Sequence, residues 1–300
     1  MPYHNIMVIN QTRTAWHSPA GNRILAEKRD ILLEVKMLTI KDYCLAESIQ
    51  QAYELNRKKQ NRILGGGIWL KCCHFPIQTA IDLSGLGLEG ITETEEGFEI
   101  GAMTSLRQLE THEGLNACTC GAVKEALRHI VGTQFRNCAT VGGSLFGRFG
   151  FSDVLTLFLG LDTFVELYPT GIITIGEFAK MQPDDSILTK IFVKKDQGKT
   201  AYLSARNTST DFPLAACCVS WRKGTLTVSM GARPAKAAAF SRENVCLEDL
   251  KKEDFLEEFA RDAAASVNFG SNRRASAEYR HYVTKVLIKR CCGSIKKGDR

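Results

Sequence analysis

The stretch SDVLTLFLGL, residues 152–161, constrains this chain more than any other. Ser152 or Asp153 suits a helix N-cap, and the residues after it are apolar nearly all round. A helix without a polar face has to be buried. Just ahead of it stands FRNCATVGGSL, residues 135–145, whose Gly142-Gly143 pair reads as a tight turn. A second glycine turn, Gly65-Gly66-Gly67, closes the strand-like RILGGGIWL. Glycine reaches positive φ at little steric cost and lets a ligand touch the backbone. Successive N–H groups in such turns form a concave anion site. Two of them would hold a pyrophosphate from opposite sides without any lysine. Each turn taken alone is better read as a plain corner of the fold.

The elements around these turns alternate between helix and strand. LTIKDYCLAESIQQAYELNRKK, from residue 38, reads as strand, turn and helix, with Ala46, Ile49, Ala52 and Tyr53 at helical spacing. TAIDLS at 79–84 and GFEIGAMTS at 97–105 read as strands, and LRQLETHE as a polar helix. GAVKEALRHIV at 121–131 is amphipathic, and DTFVELY is a strand. The polar segment VKKDQGKT at 193–200 marks a domain boundary. Beyond it FPLAACCVSW and TLTVSMGA flank the turn RKG as an antiparallel hairpin. Two helices, 253–267 and 276–291, close the chain. The organisation is α+β: residues 1–36 as an extension or an upstream start, 37–196 as one domain, and 197–295 as a smaller sheet-and-helices domain.

Composition removes several classes of function. A 300-residue chain that is 44% hydrophobic and 24% charged has a true core. It has no apolar run of membrane-spanning length. The first residues lack the apolar segment of a secretory signal, so the chain is expected in the cytoplasm. The net charge of +6 comes from scattered basic residues without interleaved aromatics, so no nucleic-acid surface is expected. The eleven cysteines include three adjacent pairs and one C-x-C, at Cys118 and Cys120, but no C-x-x-C. They read as reduced, buried thiols rather than metal ligands or disulfides. GLGLEG at 85–90 matches a dinucleotide fingerprint literally, yet the β-branched ITETEEGFEIG after it predicts a hairpin where that motif needs a helix.

Taken together, the order of these stretches resembles a known family. FRNCATVGGSL followed by SDVLTLFLGLDTFVEL is similar to the FAD-binding (medium) subunit of molybdenum hydroxylases, the xanthine dehydrogenase and carbon monoxide dehydrogenase family. RILGGGIWL, IDLSGLGLEGI, IGAMTSLRQLE, DSILTKIFV, RNTSTDFPLAA, GARPAKA and SAEYRHYVTKVLIKR have counterparts in the same order, from about Met37 to Cys292. The resemblance implies a two-part FAD-binding domain of the p-cresol methylhydroxylase and vanillyl-alcohol oxidase type, followed by a C-terminal antiparallel-sheet domain. It implies non-covalent FAD, since none of His74, His112 and His129 sits in a flavin-linking motif.

The resemblance also implies roles. Leu64, Gly65, Gly66, Gly67, Ile68 and Trp69 would wrap the FAD pyrophosphate and the isoalloxazine edge. Thr140, Val141, Gly142, Gly143 and Ser144 would give N–H groups and a hydroxyl to the pyrophosphate. Asp153 would accept hydrogen bonds from the adenosine portion, and the Leu188 backbone would lie near flavin or adenine. No residue of the chain is expected to be catalytic, and none to bind a metal. Molybdopterin and [2Fe-2S] clusters would sit on partners, a molybdopterin-binding large subunit and an iron–sulfur small subunit. Electrons would leave the flavin to NAD+ or another acceptor. The chain departs from the family at Ile68 and Trp69, where Thr and Asp or Glu are usual. It also carries Ser144 for Asn, and Leu203 or Ser204 where some relatives have a basic residue. These changes keep two alternatives open: a self-contained FAD oxidoreductase of the same fold, and a scaffold subunit that has lost FAD.

Overall fold

In the computed structural model, residues 38–73, 75–196 and 198–297 are described; the extension 1–36 lies outside them. The chain first builds a parallel sheet of three strands, β1 (Ile40–Leu45), β2 (Arg62–Leu64) and β3 (Ile77–Asp82), in the order β1-β3-β2. Helix α1 (Ile49–Asn56) connects β1 to β2 and is capped by Ser48, whose hydroxyl accepts from the Gln51 N–H. Ala46, Ala52, Ile81 and Leu83 form a small core there with Ile187. The strand–turn–helix reading of this region holds.

Strands β4 (Ile91–Glu93) and β5 (Gly97–Gly101) make the expected hairpin. Gly87 and Gly90 before it have φ of +65° and +105°, and only a single 3-10 turn, Ser84–Leu86, occurs in the fingerprint-like stretch. No α-helix starts inside it, so it offers no helix N-terminus to a phosphate. Six short helices come next: α2 (Leu106–Thr111), α3 (Glu113–Cys118), α4 (Ala122–Leu127), α5 (Thr133–Cys138), α6 (Val141–Phe146) and α7 (Asp153–Leu159). Then β6 (Thr163–Tyr168), β7 (Gly171–Thr174), α8 (Ile175–Lys180) and β8 (Ile187–Lys194) complete an antiparallel sheet in the order β4-β5-β8-β6-β7.

Past the polar junction, β9 (Lys199–Ala205), β10 (Ala215–Arg222), β11 (Thr225–Gly231) and β12 (Ala238–Arg242) form a four-stranded meander. Lys223 and Gly224, both at positive φ, make the tight β10–β11 turn. Helices α9 (Glu253–Ala265) and α10 (Ala277–Lys297) pack on one face of this sheet. Helix α7 covers the other, with all seven of its residues buried. Two glycines permit that approach. A Cβ on Gly231 would lie 1.9 Å from the Thr156 hydroxyl, and one on Gly160 would lie 2.6 Å from the Cys218 sulfur. The apolar helix read from the sequence is thus the seam between the two halves.

Adjacent strand residues point to opposite faces, so Cys218 enters the core beneath α7 and Cys217 the core beneath α10. Burial pushes both thiols far above the usual cysteine range, and Cys292 up to about 12. These behave as small hydrophobes, as does buried Cys291, but the reading of all the cysteines as buried does not hold: Cys44, Cys73 and Cys118 are half-buried and Cys72, Cys120, Cys138 and Cys246 are exposed. Among the described residues no cluster of three or more His, Cys, Asp or Glu could hold a metal ion.

A buried ion pair fixes α5 against α2. Glu110 receives bonds from Arg136 Nε at 2.7 Å and from Arg107 at 3.0 Å. Burial alone would raise the Glu110 carboxyl; the hydrogen bonds and charges of Arg136 and Arg107 hold it below its ordinary value. Because the folded value is the lower one, the pair's contribution is complete above the unfolded carboxyl pKa of about 4.3 and is lost as pH falls through the folded value. Thermal melts across roughly pH 3–6 should show this loss in the parent and a shallower acid slope in Glu110→Gln.

A candidate dinucleotide site between two glycine segments

Strand β2 delivers the chain into Gly65-Gly66-Gly67 at its C-terminal edge, where Gly67 has φ +71°. The loop lies directly against the link between α5 and α6. A Cβ on Gly66 would stand 1.8 Å from the Cys138 carbonyl oxygen, and one on Gly65 3.0 Å from the Thr140 hydroxyl. The two glycine segments therefore meet, as the sequence suggested. Among the described residues, nothing accepts from the backbone N–H groups of Gly65, Gly66, Gly67 and Ile68. All four residues are half-buried. Successive donors without a protein partner are the complement of an oxyanion.

The second segment departs from its expected form. Gly142 and Gly143 are not a turn; they form the first turn of α6, and neither has a positive φ. Their donors are spent inside the protein. Val141 N–H goes to the Thr104 carbonyl and Gly142 N–H to the Ala102 carbonyl, each at 2.8 Å. The Gly143 N–H goes to the Thr140 hydroxyl at 3.1 Å and the Ser144 N–H to the Thr140 carbonyl at 3.0 Å. The Ser144 hydroxyl donates to the same carbonyl. A Cβ on Gly142 would lie 2.7 Å from the Ala102 carbonyl oxygen, so packing against the end of β5 demands glycine there. A charged side chain at 142 would strike Ala102 rather than a phosphate. The first loop is thus a run of donors without a protein partner; in the second segment only the Thr140 N–H shares that state among the described residues, and the segment serves as the wall the loop rests on.

Asp153 takes an unforeseen place. Ser152 is the N-cap of α7, accepting from the Leu155 N–H. Asp153, 5% exposed, accepts on Oδ1 from Tyr202 Oη at 2.5 Å and from Arg206 Nη2 at 2.6 Å. Burial pushes this carboxyl up, opposed by the Arg206 guanidinium and the Tyr202 hydroxyl. Burial, with the Asp153 charge, pushes Tyr202 well up, so its hydroxyl remains a donor. Arg206 also donates to the Asp211 carbonyl, and Asp211 pairs with Arg274 at 2.6 Å. Between α4 and residues 203–209 is a recess of about 300 Å³, lined by His129, Leu203, Ser204 and Arg206 among others.

Leu188 sits in β8 opposite Leu167, beside a bulge at Glu166/Leu167. Its side chain is buried in the main core. Ile68 packs against the same core, while Trp69 is 39% exposed. Tyr202 and Arg206 are partners of Asp153 that the sequence did not expose. The alternation of AYLSA is the signal that reveals β9, but nothing local to Arg206 announces a partner more than fifty positions away.

The chain matches the model of the family described as FAD binding domain in molybdopterin dehydrogenase over residues 36–195. It belongs to that family, and FAD is the cofactor its fold serves. The unpartnered N–H cradle is of a kind a pyrophosphate would fill. Uncharacterized protein YgfM of Escherichia coli (strain K12) is 26% identical over 256 residues, which span 83% of this chain and 94% of that protein. Among solved structures, a Cu,Mo-CO dehydrogenase chain in its cyanide-inactivated form aligns with TM-score 0.74 and 23% identity, covering 87% of this chain and 99% of the other. A chain of quinoline 2-oxidoreductase from Pseudomonas putida 86 aligns with TM-score 0.75 and 17% identity, covering 88% and 99%. These likenesses establish the fold: a CO dehydrogenase-type FAD domain with an added antiparallel-sheet domain.

Proposed function

We propose that this chain is the electron-transfer flavoprotein subunit of a xanthine dehydrogenase-like molybdenum hydroxylase in the cytoplasm. The observation that carries the proposal is the row of unpartnered donors at Gly65–Ile68, braced on Cys138–Thr140, in a chain of this family. In this reading the row holds the FAD pyrophosphate non-covalently, and Asp153, locked by Arg206 and Tyr202, supports the adenosine side. The Leu188 backbone borders the rings. Bound FAD supplies the exchange between single electrons and a hydride. The protein's part is to bind, orient and shield. Single electrons would come from [2Fe-2S] clusters on a small subunit, and the substrate would be oxidised on a molybdopterin-binding large subunit. NAD+ or another acceptor would take the hydride.

Affinity capture of the full chain from the cells that make it tests this. The captured complex is expected to yield a pterin on oxidation and iron–sulfur signals in electron paramagnetic resonance. Recovery of a lone flavoprotein that oxidises a substrate unaided would contradict it.

A further inference from the structure

Four aromatic rings from three segments meet beside the first glycine loop. Trp69 comes from the loop itself, Phe149 and Phe151 from the α6–α7 connection, and Phe212 from the β9–β10 connection. Trp69 lies 5.7 Å from Phe149, 5.6 Å from Phe151 and 6.2 Å from Phe212, the last with planes only 28° apart. Phe149 and Phe151 are parallel within 5°.

The cluster is built rather than collapsed. Gly147 leaves room for the Phe149 ring, which a Cβ there would meet at 2.4 Å. Arg148, at φ +45°, buries its guanidinium 4.0 Å above the Phe178 ring and donates to the Phe146 and Phe178 carbonyls, fixing the connection that carries both phenylalanines. The Ala232 N–H holds the Gly150 carbonyl. On the far side, Arg274 stacks over Phe212 and pairs with Asp211. Within this fixed frame Trp69 keeps 39% of its surface exposed, on the residue after the unpartnered donors. A dinucleotide whose pyrophosphate sits on those donors sends a planar ring system away from them, and the part-exposed indole is an aromatic side chain adjoining them.

We propose that Trp69, braced by Phe149, Phe151 and Phe212, is a stacking platform for the isoalloxazine ring of bound FAD. This rests on the FAD-binding reading of the glycine loop. An electron-rich indole suits an electron-poor isoalloxazine, and stacking puts the two π-systems in contact without any polar partner at positions 68 and 69.

FAD titrations of the full chain, of Trp69→Leu, Trp69→Phe and Phe212→Leu, following flavin emission and affinity together, test it. Bound flavin in the parent is expected to be dark. Trp69→Leu should brighten it severalfold and raise Kd about 2- to 12-fold, with Trp69→Phe recovering most of the affinity. Phe212→Leu should shift both readouts in the same direction by less, which keeps the test open should Trp69→Leu fail to fold. Unchanged emission and Kd in a folded Trp69→Leu would overturn the platform while leaving FAD binding intact. Weaker binding with unchanged emission would assign Trp69 to the adenine and overturn the proposal. Tighter binding by Trp69→Leu would show that the rings plug the site, and would also overturn it. If neither parent nor variants bind FAD, the FAD reading fails and the platform with it.

Discussion

Gly66→Ala is expected to purify folded but without flavin. The new Cβ would stand 1.8 Å from the Cys138 carbonyl oxygen, a backbone atom that cannot swing aside as a side-chain tip would. Loop and wall must separate, and the loop that carries the four unpartnered donors is displaced. The strain costs about 1–3 kcal/mol, enough to unseat a loop without unfolding the cores. Gly176→Ala is the control: its Cβ would meet only the Thr174 hydroxyl, at 3.9 Å, within α8. It should keep its flavin and gain up to about 1 kcal/mol of helix stability. Flavin absorbance per chain and the melting temperature, measured on both variants, check the pair. Flavin retention by a folded Gly66→Ala would show that the first loop is not the cradle.

Arg206→Ala should be strongly destabilising. It leaves Asp153, 5% exposed, with the Tyr202 hydroxyl but no cation. Breaking a buried pair by removing one partner costs about 3–5 kcal/mol, because the other charge stays buried. For a protein of this size that lowers Tm by roughly 10 °C. The double variant Asp153→Ala/Arg206→Ala removes both charges and should recover a large part of the loss. Melting temperatures of the two single variants and the double one measure the coupling. Additive losses would mean that the pair does not act as a unit. Binding suffers as well, because Arg206 ties the β9–β10 connection to the N-terminus of α7, and its loss also loosens Phe212 beside Trp69.

Local chemistry decides the elements that were legible in the sequence. Strands β1, β3 and β5, the β10–β11 hairpin and the apolar α7 follow from periodicity and turn residues. The meeting of the glycine segments was legible as two turns near one ligand, but the division of labour was not. Two consecutive glycines disfavour a helix by about 1 kcal/mol each, so Val141–Phe146 reads as a turn. The Thr140 cap and the close fit of Gly142 on Ala102 make it a helix, and Ala102 is forty residues distant. Helix α5 was hidden for a related reason, since Arg136 is held by Glu110 on another helix. The partners of Asp153 lie on and just past β9, far from it in sequence. Trp69 stood out only as a departure from the family; its three ring partners became visible with the fold.

The most direct test of the central claim, that the Gly65–Ile68 cradle of this chain holds FAD non-covalently, is the visible absorption spectrum of the purified protein, with the flavin released by heat and identified by mass. Equimolar FAD, fully released from the chain, is the expected result. A protein that is colourless, and remains so after incubation with FAD, would contradict it and leave the chain as a scaffold with the fold of a flavoprotein.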